Sequence, residues 1–289
     1  MLPQTTYFPN LLVLSHFQAA LLLKAKQADQ VLCLISTDLG LTRTEVKLQA
    51  DFVEFANGER LVWSNVEEIA ATEIVCFQIA DGVATPIRQF SEEFGRTYSL
   101  LPTESAPTMM ISGISMHRIK GANPYTDTLN KIKAIAPIRG EVLDTTTGLG
   151  YTAIEAVKTA AHVTTVELDP VAQEIARLNP WSQALFANPK ITQLIGDSFD
   201  VIQQFGNQTF DSIIHDPPMF SMAGELYSGA FYQQAFRVLK RNGRMFHYIG
   251  SPDSQSGARI TKGVVRRLQA AGFTRIVPKP QAFGVMAYK

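Results

Sequence analysis

The chain has 289 residues, of which 46% are hydrophobic and 18% are charged. This composition is ordinary for a globular protein, and the length leaves room for two domains. The 26 basic residues equal the 26 acidic ones in number, so no overall charge favours a polyanion or a membrane surface as partner. The apolar run over 11–23 is broken by polar residues and lacks a basic start. We therefore expect neither a signal peptide nor a membrane span, and we predict a cytoplasmic protein.

Residues 1–118 have the sequence pattern of a small, mostly β domain. A helix is predicted over His16–Gln27, which is rich in Ala and Leu. The Asn-Gly pair at 57–58 indicates a hairpin between two apolar runs, and Ser64 or Asn65 is predicted to cap a short helix. The predicted strands of this region are 31–35, 45–52, 73–79, 96–101 and 109–114.

Residues 119–289 alternate between strands and helices, after a short helix predicted over 127–136. The predicted strands are 142–145, 163–168, 191–195, 211–215, 244–249, 274–277 and 284–288. The predicted helices between them are 152–159, 170–178, 199–205, 231–239 and 258–271. Consecutive strand–helix units with right-handed crossovers predict an open, mainly parallel sheet with helices on both faces, closed by an antiparallel pair.

The stretch 140–156 organises this second region. It reads as a buried strand, a turn that contains Gly148 and Gly150, and then a helix. Glycines allow the backbone to approach a ligand closely, and the start of a helix offers unpaired N–H groups. The order predicts the nucleotide-binding corner of a doubly wound sheet. The spacing is not G-x-G-x-x-G, which argues against a nicotinamide dinucleotide.

Carboxylates follow the next two strands. Glu167 ends the second strand, where a carboxylate can accept hydrogen bonds from both hydroxyls of a ribose. The alternative is that Glu167 is a solvated residue at the end of a strand. Asp197 ends the third strand, where it can accept from an adenine amino group or cap the following helix. These two roles of Asp197 are compatible, because capping uses one oxygen.

The fourth strand ends in Asp216-Pro217-Pro218-Met219-Phe220. Two consecutive prolines exclude helix and central strand, so the chain leaves the sheet in a fixed, extended shape. Rigid acceptors of this kind suit an amine, because they bind its N–H groups and leave its lone pair directed at an electrophile. Phe220 can then stack on a planar substrate. The alternative is an ordinary loop with a Phe in the core.

These strand ends resemble the motifs of class I S-adenosylmethionine-dependent methyltransferases, over residues 121–289. The resemblance implies an α/β fold, a Rossmann-like doubly wound seven-stranded sheet, with a smaller β-rich N-terminal domain. Asp216-Pro-Pro-Met is similar to the Asp/Asn-Pro-Pro-aromatic motif of the branch that methylates amino groups. Met116-His-Arg, Leu178-Asn-Pro-Trp-Ser and Ala223-Gly-Glu-Leu-Tyr-Ser also resemble a largely archaeal family of predicted methyltransferases, and this likeness covers nearly the whole chain.

The resemblance implies S-adenosylmethionine as cofactor and methyl transfer to a nucleophile, most plausibly an amino nitrogen. The residues that it assigns to the cofactor are Asp144, Thr146, Gly148, Gly150, Glu167, Leu168, Asp197, Ser198 and Asp216. Those that it assigns to the catalytic loop are Asp216, Pro217, Pro218 and Phe220. The substrate is left open among a small molecule, a protein and RNA. Neither DNA nor a membrane is expected as partner, no metal is expected, and a homodimer is an open alternative.

Two positions depart from the usual motifs. Thr146 replaces the first glycine, so its hydroxyl is expected to shape the methionine end of the pocket and to help hold it. Met219 stands where an aromatic residue is usual, which leaves stacking to Phe220. Cys33 and Cys76 lie in apolar runs, where we expect reduced core residues. Neither is near the crevice in sequence, which argues against a covalent cysteine mechanism.

The remaining polar candidates are weaker. His215 and His247 fall on adjacent predicted strands, and His117 precedes the second domain. No metal-site spacing connects them, so packed, hydrogen-bonded histidines are favoured, and His215 is the best of them for proton handling. Glu225 and Tyr227 either line a substrate pocket or begin a surface helix. The basic helix face over 262–267 is expected to be solvated.

Three other functions remain open. An aminopropyltransferase would use decarboxylated S-adenosylmethionine on the same fold and crevice, and binding of the two cofactors would discriminate. An NAD(P)-dependent oxidoreductase is disfavoured by the glycine spacing. A non-catalytic cofactor-binding module would use the N-terminal domain to bind a partner, and the Asp-Pro-Pro loop argues against it.

Overall fold

The structure is a computed structural model that describes residues 11–250 and 255–289, with the side chains of 255–258 left out. Its contacts divide the described chain into two compact units. The first unit contains the described residues up to Tyr125 together with Val171–Ala187, and the second contains Thr126–Pro170 and the described residues from Asn188 onward. The sequence pattern does not indicate that 171–187 groups with the N-terminal part. The predicted division between 118 and 119 stays a prediction.

The described part of the first unit is rich in β structure. Its strands are β1 (Leu12–Leu14), β2 (Leu32–Ile35), β3 (Thr44–Leu48), β4 (Phe52–Glu54), β5 (Arg60–Val62), β6 (Phe77–Ala80), β7 (Val83–Pro86), β8 (Arg88–Ser91), β9 (Arg96–Leu101), β10 (Thr108–Ile111) and β11 (Ile114–Ser115). They form antiparallel sheets in the orders β2-β3-β4-β5, β1-β6-β7 and β11-β10-β9-β8.

The second unit contains the large sheet, and helices connect its strands. The strands are β12 (Glu141–Asp144), β13 (His162–Glu167), β14 (Ile191–Ile195), β15 (Phe210–His215), β16 (Leu239–Tyr248), β17 (Arg275–Lys279) and β18 (Gly284–Tyr288). The α-helices of the described chain are α1 (His16–Gln27), α2 (Trp63–Ala71), α3 (Pro124–Ile135), α4 (Tyr151–Ala156), α5 (Pro170–Arg177), α6 (Gln183–Ala187), α7 (Ser198–Gln204), α8 (Gly229–Val238) and α9 (Gln255–Ala270). None of the described helices has the length and hydrophobicity that a membrane crossing requires.

Helix α1 begins and ends where the sequence predicts, because a capping box fixes its start. The Ser15 hydroxyl accepts from the N–H of Phe17, and Gln18 accepts from the N–H of Ser15 at 2.9 Å. The helix buries Ala19 and Leu22 in a core shared with the strands of the first unit. Capping and burial therefore both favour a helix over His16–Gln27, and the predicted helix is confirmed.

Two predictions for the first unit are wrong in detail. The single strand over 45–52 is two strands, because the chain reverses at 49–51 and Gln49 N–H donates to Phe52 O at 2.9 Å. The alternation of polar and apolar residues is real on both arms of this hairpin. Helix α2 begins at Trp63 after Val62, without a side-chain cap from Ser64 or Asn65. The hairpin predicted at 57–58 is confirmed, since β4 pairs with β5 across it.

The large sheet has the order β14-β13-β12-β15-β16-β18-β17 among the described residues. The strands from β14 to β16 are parallel, and β18 pairs antiparallel with both β16 and β17. The predicted Rossmann-like, seven-stranded α/β fold is thereby confirmed. Apolar side chains of β15, α8 and α9, among them Ile213, Phe231 and Leu268, form the core that fixes the sheet.

Candidate active site

Four neighbouring strand ends form the candidate site. Because β14, β13, β12 and β15 are adjacent and parallel, their carboxyl ends lie along one edge of the sheet. The glycine turn follows β12, Glu167 ends β13, Asp197 follows β14, and Asp216 follows β15. The structure therefore brings together the strand ends that the sequence singles out, while the role of each side chain stays a prediction.

The turn after β12 requires backbone conformations that glycine adopts easily. Gly148 has φ +52° and Gly150 has φ +74°, both in the left-handed region. A Cβ added at Gly148 would find no other heavy atom within 4 Å, so the turn faces open space. Gly150 precedes α4, and its N–H donates to Thr147 O at 2.7 Å. The backbone of the turn is thus held firmly and remains open to a ligand at Gly148.

Glu167 is bound by backbone N–H groups on both carboxylate oxygens. Its Oε2 accepts from Gly148 N at 2.8 Å, and its Oε1 accepts from Asp169 N at 3.3 Å. Burial raises the pKa of Glu167, and these N–H donors act in the opposite direction. Each carboxylate oxygen can accept a further bond, so the ribose role predicted for Glu167 is compatible with this arrangement. Leu168, the next residue, is exposed at the rim.

Asp197 caps helix α7, whereas Ser198 supports the backbone after β12. Asp197 Oδ1 accepts from Phe199 N at 2.8 Å, so the predicted capping of α7 is confirmed. The Ser198 hydroxyl is buried and donates to Thr145 O behind the glycine turn. Its hydroxyl is therefore engaged inside the protein, and the assignment of Ser198 to the cofactor stays a prediction.

Asp144, at the end of β12, is fully buried. Its carboxylate accepts from Thr152 Oγ1 at 2.8 Å and from Thr146 N at 3.5 Å. Burial raises the pKa of Asp144 to about 7, against the hydrogen bond from Thr152, and the charge of Asp216 acts in the same direction as burial. With no exposed surface, the Asp144 carboxylate supports the turn from inside. The assignment of Asp144 to the cofactor stays a prediction.

Asp216 has an ion pair that the sequence did not indicate. Its Oδ2 lies 2.6 Å from Nζ of Lys131, which also lies 2.8 Å from Oδ2 of Asp127. The Lys131 side chain is 2% exposed and that of Asp216 is 19% exposed. Burial raises the pKa of Asp216, and Lys131 opposes this rise. Burial would lower the pKa of Lys131, but the charges of Asp216 and Asp127 raise it above its ordinary value.

Thr146 connects the glycine turn to the Asp-Pro-Pro loop. Its Oγ1 donates to the backbone carbonyl of Asp216 at 2.8 Å. A glycine at this position could not make that bond. The substitution at the usual first glycine therefore has a visible consequence, which is to fix the ends of β12 and β15 to each other.

The loop that follows Asp216 has a buried start and an exposed middle. Pro217 is buried, and Tyr227 OH donates to the carbonyl of Pro218 at 3.0 Å. Met219 and Phe220 are 50% and 49% exposed, so the alternative of Phe220 as a core residue is wrong. The ring of Phe220 meets that of Tyr227 edge-on, with 5.5 Å between centroids. Two exposed apolar side chains thus follow Asp216 in the same loop, available to a ligand.

His215 does not suit proton handling, contrary to the sequence interpretation. Its Nδ1 lies 2.7 Å from Thr145 Oγ1, and its Nε2 donates to the carbonyl of Leu226 at 2.9 Å. Burial lowers the pKa of His215 to about 3, so the ring is neutral near pH 7. His247 is also buried and lies 2.8 Å from Tyr232 OH. The favoured interpretation of packed, hydrogen-bonded histidines is confirmed for these two.

Two further polar candidates are His117, in the first unit, and Glu225, in the second. His117 Nδ1 lies 2.9 Å from Thr108 Oγ1. Glu225 is exposed on a short 3₁₀ helix, Gly224–Tyr227, that precedes α8. Over residues 11–250 and 255–289, no three His, Cys, Asp or Glu side chains are grouped so that they could hold a metal ion.

Sequence reasoning missed Lys131 and Asp127. Both lie on α3, and their spacing of four residues puts them on one face of the helix. That spacing is visible in the sequence and could have indicated an ion pair. The sequence does not reveal the third partner, because Asp216 lies 85 positions away from Lys131 and meets it only in the folded sheet.

The comparisons with known proteins agree with this architecture. The chain is 42% identical over 261 residues to an uncharacterized protein of Methanocaldococcus jannaschii, which covers 88% of each chain. It is 25% identical over 140 residues to a putrescine N-methyltransferase of Nicotiana tabacum, covering 47% of this chain and 40% of that relative. A spermidine synthase structure matches 71% of this chain and 75% of its own with a TM-score of 0.58 and 19% identity, which shows the fold alone.

The sheet order and the turn between β12 and α4 define a Rossmann-like fold of the class I methyltransferase type. Residues 121–270 match the methyltransferase small domain family. The chain belongs to that family. Its fold and family imply S-adenosylmethionine or a related adenosyl cofactor.

Proposed function

We propose that this protein transfers a methyl group from S-adenosylmethionine to an amino nitrogen. The observation that carries the proposal is the position of Asp216, at the end of β15, fixed to the glycine turn through Thr146. One oxygen of its carboxylate is bound by Lys131, and the exposed apolar side chains of Met219 and Phe220 follow it in the loop. An acceptor held in this way suits an amine whose lone pair must be directed at an electrophile.

The residues at the strand ends fit an adenosyl cofactor. The open space in front of Gly148 would admit a ligand against the backbone, and Glu167 can accept from ribose hydroxyls. Asp197 retains an oxygen beyond the one that caps α7. The carboxylate of Asp216 at the end of β15 favours a nearby cationic sulfonium over the two negative charges of a pyrophosphate, whereas a ribose-binding carboxylate such as Glu167 suits either ligand. This charge pattern supports a methyl donor and disfavours a nicotinamide dinucleotide.

Within the proposed reaction the residues bind and orient. The cofactor, when bound, supplies a methyl carbon made electrophilic by its sulfonium. Asp216 would accept an N–H of the substrate and orient the nitrogen lone pair toward that carbon. Transfer would join the nitrogen to that methyl carbon and leave the donor sulfur as a neutral thioether, and the proton lost by the nitrogen would pass to water. We assign Asp144 to shaping the turn and Glu167 to holding the ribose.

Two observations favour different substrate classes, an aliphatic amine and a planar base. One relative is, by its name, a putrescine N-methyltransferase, which supports an aliphatic amine. The exposed Phe220 would instead suit stacking on a planar base, and RNA therefore stays among the proposals with small molecules and proteins. An aliphatic diamine and total RNA are the two probes that separate these possibilities.

The proposal is tested by methyl transfer. The purified protein is incubated with methyl-labelled S-adenosylmethionine and, separately, with putrescine, total RNA and a protein extract of its source. We expect label to enter one of these fractions, at nitrogen, and to depend on Asp216. Binding of S-adenosylmethionine without any transfer would instead favour the cofactor-binding module, and absence of binding would refute the function.

A second donor is worth a direct comparison. An aminopropyltransferase would use decarboxylated S-adenosylmethionine, and this chain shares its fold with a spermidine synthase. Calorimetry with both cofactors on the same protein preparation decides between them. We expect tighter binding of S-adenosylmethionine, and a clear preference for the decarboxylated form would replace methyl transfer by aminopropyl transfer.

A further inference from the structure

We propose that Lys131 is a positioning residue for Asp216: from inside the protein it occupies Oδ2, so that Oδ1 is left to accept the substrate N–H. In this arrangement Asp127 sets how much of the lysine charge acts on Asp216. The inference rests on the proposed function only for the identity of the group that Oδ1 accepts from. The arrangement of the three charges can be tested without cofactor or substrate.

The geometry fixes the ammonium group on three sides. Lys131 Nζ lies 2.6 Å from Asp216 and 2.8 Å from Asp127, and 4.7 Å from the ring centroid of Tyr248. With 2% of its side chain exposed, Lys131 cannot turn to solvent without breaking both of its ion pairs. The ammonium group is therefore a fixed part of the site. It also defines which Asp216 oxygen is engaged, since Oδ1 has no hydrogen bond among the described residues.

The charges around Asp216 explain why a cation is needed there. Asp127 acts on Asp216 from α3 and raises its pKa. On the other side, the charge of Asp216 raises the pKa of Asp144 at the end of β12. The hydroxyl groups of Tyr227 and Tyr248 are nearby, and the adjacent His215 is neutral. Burial and the neighbouring Asp127 favour a protonated Asp216, and a protonated oxygen could not accept a hydrogen bond. Lys131 is the cation that faces it, and it leaves the group of Lys131, Asp127 and Asp216 with one net negative charge.

This arrangement makes two substitutions on one helix act in opposite directions. Lys131→Gln removes the cation, so Asp216 should bind its proton at a higher pH. Asp127→Asn removes the carboxylate that competes for Lys131, so Asp216 should bind its proton at a lower pH. If Lys131 only filled space and supported α3, the two substitutions would not shift the titration of Asp216 in opposite directions. The sign of the two shifts is therefore the decisive readout.

The experiment follows Asp216 itself. Protein labelled with ¹³C at the aspartate carboxyl carbon is titrated by NMR, and the Asp216 signal is identified by its absence in Asp216→Asn. We expect the midpoint to rise by roughly one to three pH units in Lys131→Gln, because an opposite charge within a few ångströms has an effect of that size. We expect it to fall in Asp127→Asn. Shifts of the same sign, or no shift, would overturn the proposal.

A control and a second variant keep the result interpretable. Lys240 lies 2.7 Å from Asp211 in a half-exposed pair outside the site, so Lys240→Gln should leave the Asp216 midpoint in place. If Lys131→Gln does not fold, the double variant with Asp127→Asn removes both charges together. Its midpoint should then lie above that of Asp127→Asn alone, and an equal or lower midpoint would refute the proposal.

Methyl-transfer rates test whether the titration of Asp216 matters for the reaction. With the acceptor fraction found by labelling, the acid limb of the pH–rate profile should move with the NMR midpoint in both variants. Midpoints that move while the acid limb stays fixed would show that Lys131 does not position Asp216 for the reaction. If no fraction accepts label at all, the proposed function fails, and the titration still decides the charge arrangement.

Discussion

The two sides of strand β12 hold their carboxylates by different means. On the side of β13 and β14, Glu167 and Asp197 accept hydrogen bonds from backbone N–H groups. On the side of β15, Asp216 is held by a buried ammonium group from α3. Backbone donors cannot be removed by substitution, whereas a buried charge loses its balance when one partner changes. Single substitutions should therefore cost less free energy of unfolding on the first side than on the second.

The largest effect that would sharpen this comparison is expected at Asp216. Asp216→Asn keeps the shape of the side chain and leaves Lys131 paired with Asp127. We expect turnover to fall by about 10²–10⁴-fold, because an acceptor that orients a nucleophile is lost, with little change in cofactor affinity. Rates of label transfer and calorimetry on the same protein check this. Unchanged turnover would remove Asp216 from the mechanism.

Asp144, between the two sides, should show its burial in the pH dependence of stability. Its folded pKa of about 7 lies above the ordinary value of 3.8, so the folded protein binds more protons within that window. Stability from this group is present below pH 3.8 and is lost as pH rises through 7. The free energy of unfolding of Asp144→Asn should therefore rise relative to that of the wild type between pH 4 and pH 8. The relative increase should reach up to roughly 4 kcal/mol, at about 1.4 kcal/mol per pKa unit.

Urea unfolding at several pH values measures this gain. The matched control is Asp200→Asn, on the exposed face of α7. A constant difference between wild type and Asp144→Asn across the range would show that the carboxyl group titrates normally in the folded protein.

A smaller effect is expected on the side held by backbone groups. Glu167→Gln keeps an acceptor for Gly148 N–H but removes the charge. We expect cofactor affinity to fall about 10- to 100-fold, which corresponds to the 1.5–3 kcal/mol of a hydrogen bond to a charged group. Turnover at saturating cofactor should stay close to wild type. Calorimetry and saturation kinetics separate the two, and a loss confined to turnover would contradict a ribose role.

The smallest effect should come from Asp197. Asp197→Ala removes the cap of α7 and should cost about 1 kcal/mol of unfolding free energy. Asp197→Ser restores a capping oxygen without the carboxylate, so it should recover stability. If cofactor affinity drops in both variants, the carboxylate also binds the cofactor. If affinity drops only with Ala, Asp197 acts through the helix alone.

Features that depend on local sequence signals were predicted, and features that depend on the folded sheet were not. β14 begins and ends at the predicted residues, and α1 does as well, because apolar spacing and caps are local signals. The strand ends that carry Glu167, Asp197 and Asp216 were predicted for the same reason. Lys131 was missed because its partner depends on which strands become neighbours.

Burial explains the remaining differences between the sequence interpretation and the structure. The sequence shows that Asp144, Ser198 and His215 are polar and lie near motifs, but it does not show which way they face. The structure turns all three inward, where they are hydrogen-bonded to other parts of the second unit. Proximity in a motif therefore predicted the place of these residues and not their solvent contact.

The grouping of residues 171–187 with the N-terminal part has a consequence for chimeras. Within the first unit, Trp181 donates from Nε1 to the carbonyl of Leu39 at 3.0 Å, and its ring lies 5.3 Å from that of Tyr125. The Leu-Asn-Pro-Trp-Ser phrase is thus part of the same unit as the N-terminal strands. An exchange of N-terminal regions between relatives would have to transplant this internal segment as well, because a single junction near 118 would leave Trp181 facing a foreign partner.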